Sequence, residues 1–228
     1  WRGAGARSPV ALVARARQII RSNIASAVCM TEHGLVTATC LEYPVDRAMN
    51  TDGRALPGME VQVVDSEHEP LLAGEEGMLK ARACSTFVGY LKRPDWYNHD
   101  AEGWFGTGDL ARIDGQGYIR LTGRSKDIII RGGMNISPGE IDGLLAGLPA
   151  IKEAAVVGYP DPVMGERICV VAVSAEGAKP TLDDIRAHLM KSDIAAYKLP
   201  ERLEFAEALP RNPLGKVLRR ELRMLIGG

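Results

Sequence analysis

Four short segments of this sequence carry side chains whose types and spacing could take part in chemistry. Thr31 and Glu32 follow an apolar run over residues 24–28, so they stand at the carboxyl end of a predicted strand, where α/β sheets place ligand sites. Asp109 comes directly after Thr107 and Gly108, and the glycines around it predict a tight loop that would present its carboxylate to a ligand. An aspartate that caps a turn is the structural alternative.

The other two segments are a glycine pair and a loop that carries one lysine. Gly132 and Gly133 end an apolar run over residues 127–131, and adjacent glycines indicate unusual backbone dihedral angles or a close approach by another group. A plain strand-turn-helix connection would explain the same pattern. Lys216 follows a proline and a glycine in a stretch, residues 211–223, with five basic residues and one acid. A solvated basic helix face and a nearby anion site both fit that charge.

Composition limits the classes of function. The 228 residues are 46% hydrophobic with a formal net charge of −1, which predicts a globular core and gives no reason to expect nucleic acid or a membrane surface as the main partner. No apolar run approaches the roughly 18 residues of a transmembrane segment, and the N-terminus lacks a signal-peptide core. The four cysteines and four histidines are too scattered to predict a metal site or a disulfide framework. A reducing cytoplasm is therefore expected.

The elements that must position these residues fall into two groups. The first group comprises a helix over 9–21, the strand over 24–28, and a small β subdomain with strands over 60–64, 77–83, 110–113 and 118–121 and a hairpin turn over 114–117.

The second group has the pattern of an α+β domain of about one hundred residues. The run over 127–131 predicts a strand that is buried on both faces or laid against another domain. Capping boxes at Ser137/Glu140 and Thr181/Asp184 predict two helix starts. These two helices would bury one face each, formed by Ile141, Leu144, Leu145 and Leu148 in the first and by Leu182, Ile185 and Leu189 in the second. Strands are predicted over 154–157 and 168–173, with a loop over 160–162 between them, and a further short strand contains Leu203 and Phe205. A final helix would have the apolar residues Val217, Leu218, Leu222 and Leu225.

Four motifs in fixed order closely resemble the adenylate-forming superfamily of acyl-CoA synthetases, luciferases and peptide-synthetase adenylation domains. They are Met30-Thr31-Glu32, Thr107-Gly108-Asp109, Gly123-Arg124-x-Lys126-Asp127 with Gly133 and Glu140, and Gly215-Lys216. Residues 132–140 resemble the AMP-forming acid–CoA ligases in particular. The resemblance implies an α/β and α+β fold: the end of the large N-terminal acyl-adenylate-forming domain, including a β subdomain, over 1–122, a hinge over 123–127, and a small mobile α+β C-terminal domain over 128–228.

The resemblance also implies how the nucleotide is bound. Thr31 would contact the α-phosphate and Glu32 would coordinate Mg²⁺, which favours oxygen ligands. Asp109 would bind both ribose hydroxyls, and Arg124 would add a contact on the ribose and phosphate side. The remaining nucleotide-binding positions are Met30 in the first motif and the small residues Gly3, Ala4 and Gly5, which resemble the strip that lies along adenine.

Three further roles follow from the same resemblance. Lys216 would reach the substrate carboxylate and the α-phosphate during adenylation, where preorganised positive charge stabilises the developing negative charge. Lys126 would be the hinge about which the C-terminal domain rotates between two half-reactions. Gly132 and Gly133 would leave room for the pantetheine arm of coenzyme A.

The implied substrates are a small-molecule carboxylic acid, ATP with Mg²⁺, and coenzyme A, joined through acyl-AMP with release of pyrophosphate and AMP. The sequence departs from the family at Val28 and Cys29, where Tyr-Gly is usual and where a larger side chain would reshape the acyl pocket. The upstream glycine- and lysine-containing phosphate loop of the family does not occur here, so roughly the first half of the enzyme is expected to lie outside this chain, which alone would be inactive. The identity of the acid and a homo-oligomeric state stay open.

Two other interpretations stay open as well. One is a non-catalytic remnant that binds a nucleotide or a partner, and the other is an adenylation domain that loads a carrier protein.

Overall fold

The chain consists of two compact units, Trp1–Ser125 and Lys126–Gly228. The computed structural model describes residues 2–3, 18–19, 25–40, 42–97, 99–213 and 215–227. The helix predicted over 9–21 therefore falls almost entirely outside the described residues, and the hinge and the domain bounds remain predictions. Among the helices of the described ranges, none combines the length and apolar content that crossing a bilayer requires.

The first sheet of the first unit carries the Thr31–Glu32 motif. Its order is β1-β2-β3-β4, with β1 at Arg2–Gly3, β2 at Ala25–Met30, β3 at Gly34–Ala38 and β4 at Arg54–Ala55. The pair β1–β2 is parallel and the others are antiparallel, and helix α1 spans Val45–Asn50 between β3 and β4. The strand predicted over 24–28 extends to Met30, and the turn that follows it spans residues 31–33.

The second sheet is the predicted β subdomain, which the structure confirms. It is an antiparallel meander of β5 (Met59–Val64), β6 (Glu76–Ala83), β7 (Phe105–Ile113) and β8 (Ile119–Arg124). Its core packs Val63, Leu79, Ala111 and Ile119. Asp114 Oδ1 accepts hydrogen bonds from the backbone of Gln116 and Tyr118, both at 2.9 Å, and so closes the predicted β7–β8 turn.

The second unit is built around one five-stranded sheet, in the α+β arrangement that was predicted. Its strands are β9 (Ile129–Arg131), β10 (Met134–Ile136), β11 (Ile151–Asp161), β12 (Gly165–Ser174) and β13 (Arg202–Phe205), in the order β10-β9-β12-β11 with β13 parallel to β12. Its helices are α2 (Pro138–Leu145), α3 (Leu182–Met190) and α4 (Arg219–Leu225).

The centres of β11 and β12, residues 154–157 and 168–173, are continuous apolar runs because both faces of the sheet are covered there. Val156, Ile168 and Val170 pack with Ile141 of α2 and Ile185 of α3 on one face. The alternate residues Ala155, Val157, Cys169 and Val171 pack with Leu222 of α4 on the other face. The loop predicted over 160–162 is wrong in part, since β11 continues to Asp161 and pairs there with Gly165.

The strand predicted over 127–131 is shorter than expected and is not buried on both faces. It begins at Ile129, which is fully buried, whereas Ile130 is 54% exposed. Alternation of this kind is typical of a strand with one covered face.

The two capping boxes have different outcomes. Thr181 and Asp184 form the predicted reciprocal box at the start of α3, with hydrogen bonds of 3.2 and 2.8 Å. At α2 the box is wrong, because Lys198 Nζ donates to both Glu140 carboxylate oxygens at 2.9 and 2.7 Å, and the described side chains supply no capping bond at Ser137.

The final helix begins later than its apolar pattern suggested. Val217 forms a bridge with Arg211 before α4, Leu218 precedes the first helical turn, and Leu225 is 72% exposed. Of the four apolar residues predicted for this helix, Leu222 is fully buried.

Candidate active site

The turn between β2 and β3 contains Thr31 and Glu32. The segment that follows β6 forms hydrogen bonds with this turn. Thr31 is exposed and Glu32 is half-buried. The Tyr90 hydroxyl donates a short hydrogen bond to Glu32 Oε1, and the Phe87 amide donates to the Glu32 carbonyl at 2.7 Å. The bond to Glu32 raises the pKa of the Tyr90 hydroxyl, with burial adding to the same effect.

His33, the third residue of this turn, is buried in an aromatic cluster. Its Nδ1 lies 2.9 Å from Thr86 Oγ1, and its ring packs edge-on against Phe105 at 5.2 Å between centroids. Burial lowers the pKa of His33, and the nearby His99 ring, 6.4 Å away, lowers it further. His33 Nε2 is buried and has no hydrogen-bond partner among the described residues. Burial thus favours the neutral form of this histidine, whose ring packs beside the turn.

Asp109 lies within strand β7, which corrects the prediction of a tight loop. The glycines do not interrupt the strand, although Gly108 has a φ of +72°. The Asp109 amide donates to Thr107 Oγ1 at 3.1 Å, and the Thr107 hydroxyl donates to the Leu79 carbonyl of β6 at 2.7 Å. The predicted carboxylate is thus held by a strand and not by a loop.

Asp109 and Arg124 are brought together by the β7–β8 pairing. They are direct cross-strand partners, and Arg124 Nε lies 2.6 Å from Asp109 Oδ1. The Asp109 side chain is 11% exposed and that of Arg124 is 40% exposed. Both residues were predicted for the nucleotide site, and the structure makes them one oriented ion pair.

Gly132 and Gly133 form the two-residue turn of the β9–β10 hairpin. Their φ values of +55° and +81° are the pattern of a type I′ turn, which strongly favours glycine. A Cβ on Gly132 would approach Met164 Cε to 2.8 Å, whereas one on Gly133 would meet nothing within 4 Å. The glycines thus lie in a turn between two strands, and its positive φ values favour glycine at both positions.

Lys216 is exposed in a loop whose backbone is tied to its neighbours. Its amide donates to Asn212 Oδ1 at 2.8 Å. Arg211 donates to the Gly215 carbonyl at 2.5 Å and to Glu153 at 2.8 Å. Arg219, also in the basic stretch, pairs with Asp142. The basic stretch is therefore partly neutralised by acids from other elements and is not simply a solvated helix face.

The other predicted residues have simpler environments. Lys126 is exposed in a 3-10 turn over Ser125–Asp127, and Met30 packs on the cluster of Val36, Met59 and Ala81. Gly3 pairs with Ser26 across β1 and β2, whereas Ala4 and Gly5 lie outside the described residues.

All four cysteines are free, and burial raises the pKa of the Cys169 thiol to about 11, which keeps it protonated. No group of three His, Cys, Asp or Glu side chains within the described ranges could hold a metal ion by itself.

The chain matches the AMP-binding enzyme family over residues 2–91 and the AMP-binding enzyme C-terminal domain over residues 140–216. It belongs to the adenylate-forming superfamily. The medium-chain fatty-acid–CoA ligase of Escherichia coli K12 is 39% identical over 214 residues, which are 92% of this chain and 38% of that protein. The fatty acid–[acyl-carrier-protein] ligase ScoC of Streptomyces coeruleorubidus is 36% identical over 95% of this chain and 43% of its own length.

Solved structures agree with this assignment. ATP-bound MatB from Rhodopseudomonas palustris matches with a TM-score of 0.91 and 30% identity over 98% of this chain and 44% of that protein. This adenylate-forming chain thus spans about two fifths of the length of the curated relatives it matches.

Sequence reasoning missed Tyr90, His33 and Phe87. An aromatic residue that follows a β strand is ordinarily core material, and no local pattern links residues 85–90 to the turn at 31–33. The available signal was the density of aromatic and histidine residues over 87–105.

Proposed function

We propose that this adenylate-forming chain is the C-terminal part of an AMP-forming carboxylic acid–CoA ligase. The observation that carries the proposal is the oriented Asp109–Arg124 pair on adjacent strands. Similarity to the E. coli medium-chain fatty-acid–CoA ligase supports the choice of reaction class.

Asp109 is suited to bind the two hydroxyls of a ribose. An ionised carboxylate only accepts hydrogen bonds, and its two oxygens can receive a pair of neighbouring donors. Arg124 and the strand pairing orient the side chain before ligand arrives, so binding costs less conformational entropy. Arg124 itself would contact the ribose and phosphate side.

The chemistry of the Thr31–Glu32 turn fits a magnesium nucleotide. Glu32 is a single half-buried carboxylate held by Tyr90, and Mg²⁺ commonly takes one or two protein carboxylates with the remaining oxygens from substrate phosphates and water. Glu32 would hold the ion, and Thr31 would donate to the α-phosphate. Bound Mg²⁺ would neutralise phosphate charge.

The proposed reaction has two steps. A carboxylate oxygen of the acid attacks the α-phosphorus, the bond to the bridging oxygen breaks, and pyrophosphate leaves with its electron pair. The sulfur of coenzyme A then attacks the acyl carbonyl carbon, AMP leaves, and the thiol proton is released. Lys216 would stabilise charge in the first step, and the Gly132–Gly133 turn would admit the pantetheine arm in the second.

The test is nucleotide affinity in the polypeptide encoded by the complete reading frame. Asp109→Asn should weaken AMP binding at least tenfold in calorimetric titration, since it removes charge from an acceptor of two hydrogen bonds. Glu60→Gln is the matched control, because Glu60 also pairs across adjacent strands of this sheet, with Arg82 at 2.7 Å. Equal affinity in Asp109→Asn and wild type would remove the ribose assignment.

Carrier loading remains the second candidate, because ScoC has a carrier protein as its acceptor. The complete polypeptide should be offered a panel of carboxylic acids with coenzyme A or an acyl carrier protein, and the thioester products identified by mass spectrometry. Acyl-CoA supports the ligase, acylated carrier supports the alternative, and nucleotide binding without acid-dependent pyrophosphate exchange supports a non-catalytic remnant.

A further inference from the structure

The segment over residues 85–90 holds the Thr31–Glu32 turn at several points. Ser85 Oγ donates to the His33 carbonyl at 2.9 Å, and Thr86 Oγ1 lies 2.9 Å from His33 Nδ1. The Phe87 amide donates to the Glu32 carbonyl at 2.7 Å. These bonds involve the backbone of the turn or the neighbouring histidine, so they set where the turn lies without fixing the Glu32 carboxylate.

The Tyr90 hydroxyl supplies the contact to that carboxylate. It donates to Glu32 Oε1, and its ring is itself set by edge-on packing against Phe87 at 4.8 Å and Trp96 at 6.0 Å. A tyrosine with a packed ring is a rigid donor, because only two side-chain torsions must be held. The bond therefore selects one orientation of Glu32 and leaves its second oxygen to face other ligands.

We propose that Tyr90 is a positioning residue that presents the Glu32 carboxylate to the magnesium ion of the nucleotide. This inference rests on the proposed function, in which Glu32 holds the ion. A hydrogen bond from a neutral donor to one oxygen preserves the negative charge that the cation requires, while it removes rotational freedom from the side chain. Loss of the hydroxyl should therefore weaken the dependence of nucleotide affinity on Mg²⁺, with a smaller effect on the stability of the fold.

The experiment measures binding of α,β-methylene-ATP to the complete polypeptide by calorimetry over a series of Mg²⁺ concentrations. In Tyr90→Phe, the Mg²⁺ concentration that gives half of the maximal affinity should rise about tenfold, because one hydrogen bond to a charged group is lost. Affinity for the nucleotide without Mg²⁺ should stay within twofold. Tyr97→Phe is the matched control, since Tyr97 belongs to the same aromatic cluster and contacts the Phe87 ring at 5.6 Å.

A double-mutant cycle separates positioning from a general structural effect. If Tyr90 acts through Glu32, Tyr90→Phe should change the Mg²⁺ requirement little in a Glu32→Gln background. Additive effects, or an unchanged Mg²⁺ requirement in Tyr90→Phe, would overturn the inference. If wild type binds the nucleotide with no dependence on Mg²⁺, the role of Glu32 in the proposed function fails instead, and the two failures are thereby distinguished.

Discussion

The backbone of Lys216 is held by hydrogen bonds to Asn212. Asn212 accepts from the Lys216 amide with its side chain and from the Gly215 amide with its carbonyl, each at 2.8 Å, and the Arg211–Val217 bridge closes the loop. These bonds fix where the Lys216 backbone lies, and the exposed side chain can carry one positive charge outward from that point.

Lys216→Ala should therefore abolish acid-dependent pyrophosphate release in the complete polypeptide, with a loss of at least a hundredfold. Removal of preorganised charge at a centre of developing negative charge costs several kcal/mol. Thioester formation from supplied acyl-AMP should fall less than threefold. Lys179→Ala, another exposed loop lysine of the same unit, is the control. Equal loss of both steps would refute the role assigned to Lys216.

At the scale of elements, the β9–β10 hairpin contains the glycine turn that is proposed to admit the pantetheine arm of coenzyme A in the second step. Gly133 has a φ of +81° and space around its missing Cβ. Substitutions at Gly133 can therefore separate the effect of backbone strain from the effect of filling the space beside the turn.

Gly133→Leu should slow CoA capture at least tenfold while adenylation changes less than threefold. Gly133→Asn tolerates positive φ and should retain stability within about 0.5 kcal/mol. Gly177→Leu is the strain control, since Gly177 of the same unit has a φ of +73° and nothing within 4 Å of a Cβ. Half-reaction rates and chemical unfolding provide the measurements. An unaffected thioester step in Gly133→Leu would contradict the pantetheine assignment.

Glu201 ties this hairpin to β12. Its carboxylate accepts from Arg131 at 2.6 Å, from Arg167 at 3.3 Å and from the Ile168 amide at 3.2 Å. Burial acts to raise the pKa of Glu201, but the bonds from Arg131 and Ile168 outweigh it, and the pKa is lowered. The folded state therefore stabilises the ionised form of Glu201 relative to the unfolded state.

Glu201→Gln should lower the free energy of unfolding at pH 7 by about 1–3 kcal/mol. Because the folded pKa lies below the unfolded value of about 4.3, this stabilisation is present above that value and is lost as pH falls through the folded pKa. The free energies of unfolding of wild type and variant, measured in urea, should therefore differ at pH 7 and converge as the pH falls through the lowered pKa of Glu201. Glu204→Gln removes an exposed ion pair with Arg202 and should change stability by less than about 1 kcal/mol at either pH. A difference that persists at low pH would contradict this account.

At the scale of the whole molecule, the second unit has the properties of an independent folding unit. Both of its apolar clusters, one on each face of the sheet, are composed of residues from 129 onward. Its length of about one hundred residues is within the usual domain range.

A fragment over residues 126–228 should therefore fold alone. Its circular dichroism should show one cooperative thermal transition, and its amide NMR spectrum should be well dispersed. As a control within the fragment, Leu222→Ala should lower the free energy of unfolding by about 2–5 kcal/mol, because Leu222 is fully buried. A fragment without a cooperative transition would show that the two units depend on each other for stability.

The sequence by itself determined the family, the β subdomain and the α+β unit, because these depend on local signals. Each single motif, the short strand-like runs of the meander, the 114–117 turn and the Thr181/Asp184 capping box involve residues close in the chain. The apolar runs over 154–157 and 168–173 likewise indicated two strands.

Only the tertiary structure decided which partners those residues take. Glu140 pairs with Lys198 instead of capping its own helix, Asp109 meets Arg124 across a strand register, and Glu32 is held by Tyr90, which lies 58 residues away in the chain. Each outcome depends on a partner from another segment, which at Glu140 competes with a local capping bond. No local pattern encodes that competition, since the distant partner comes within reach only when the chain folds.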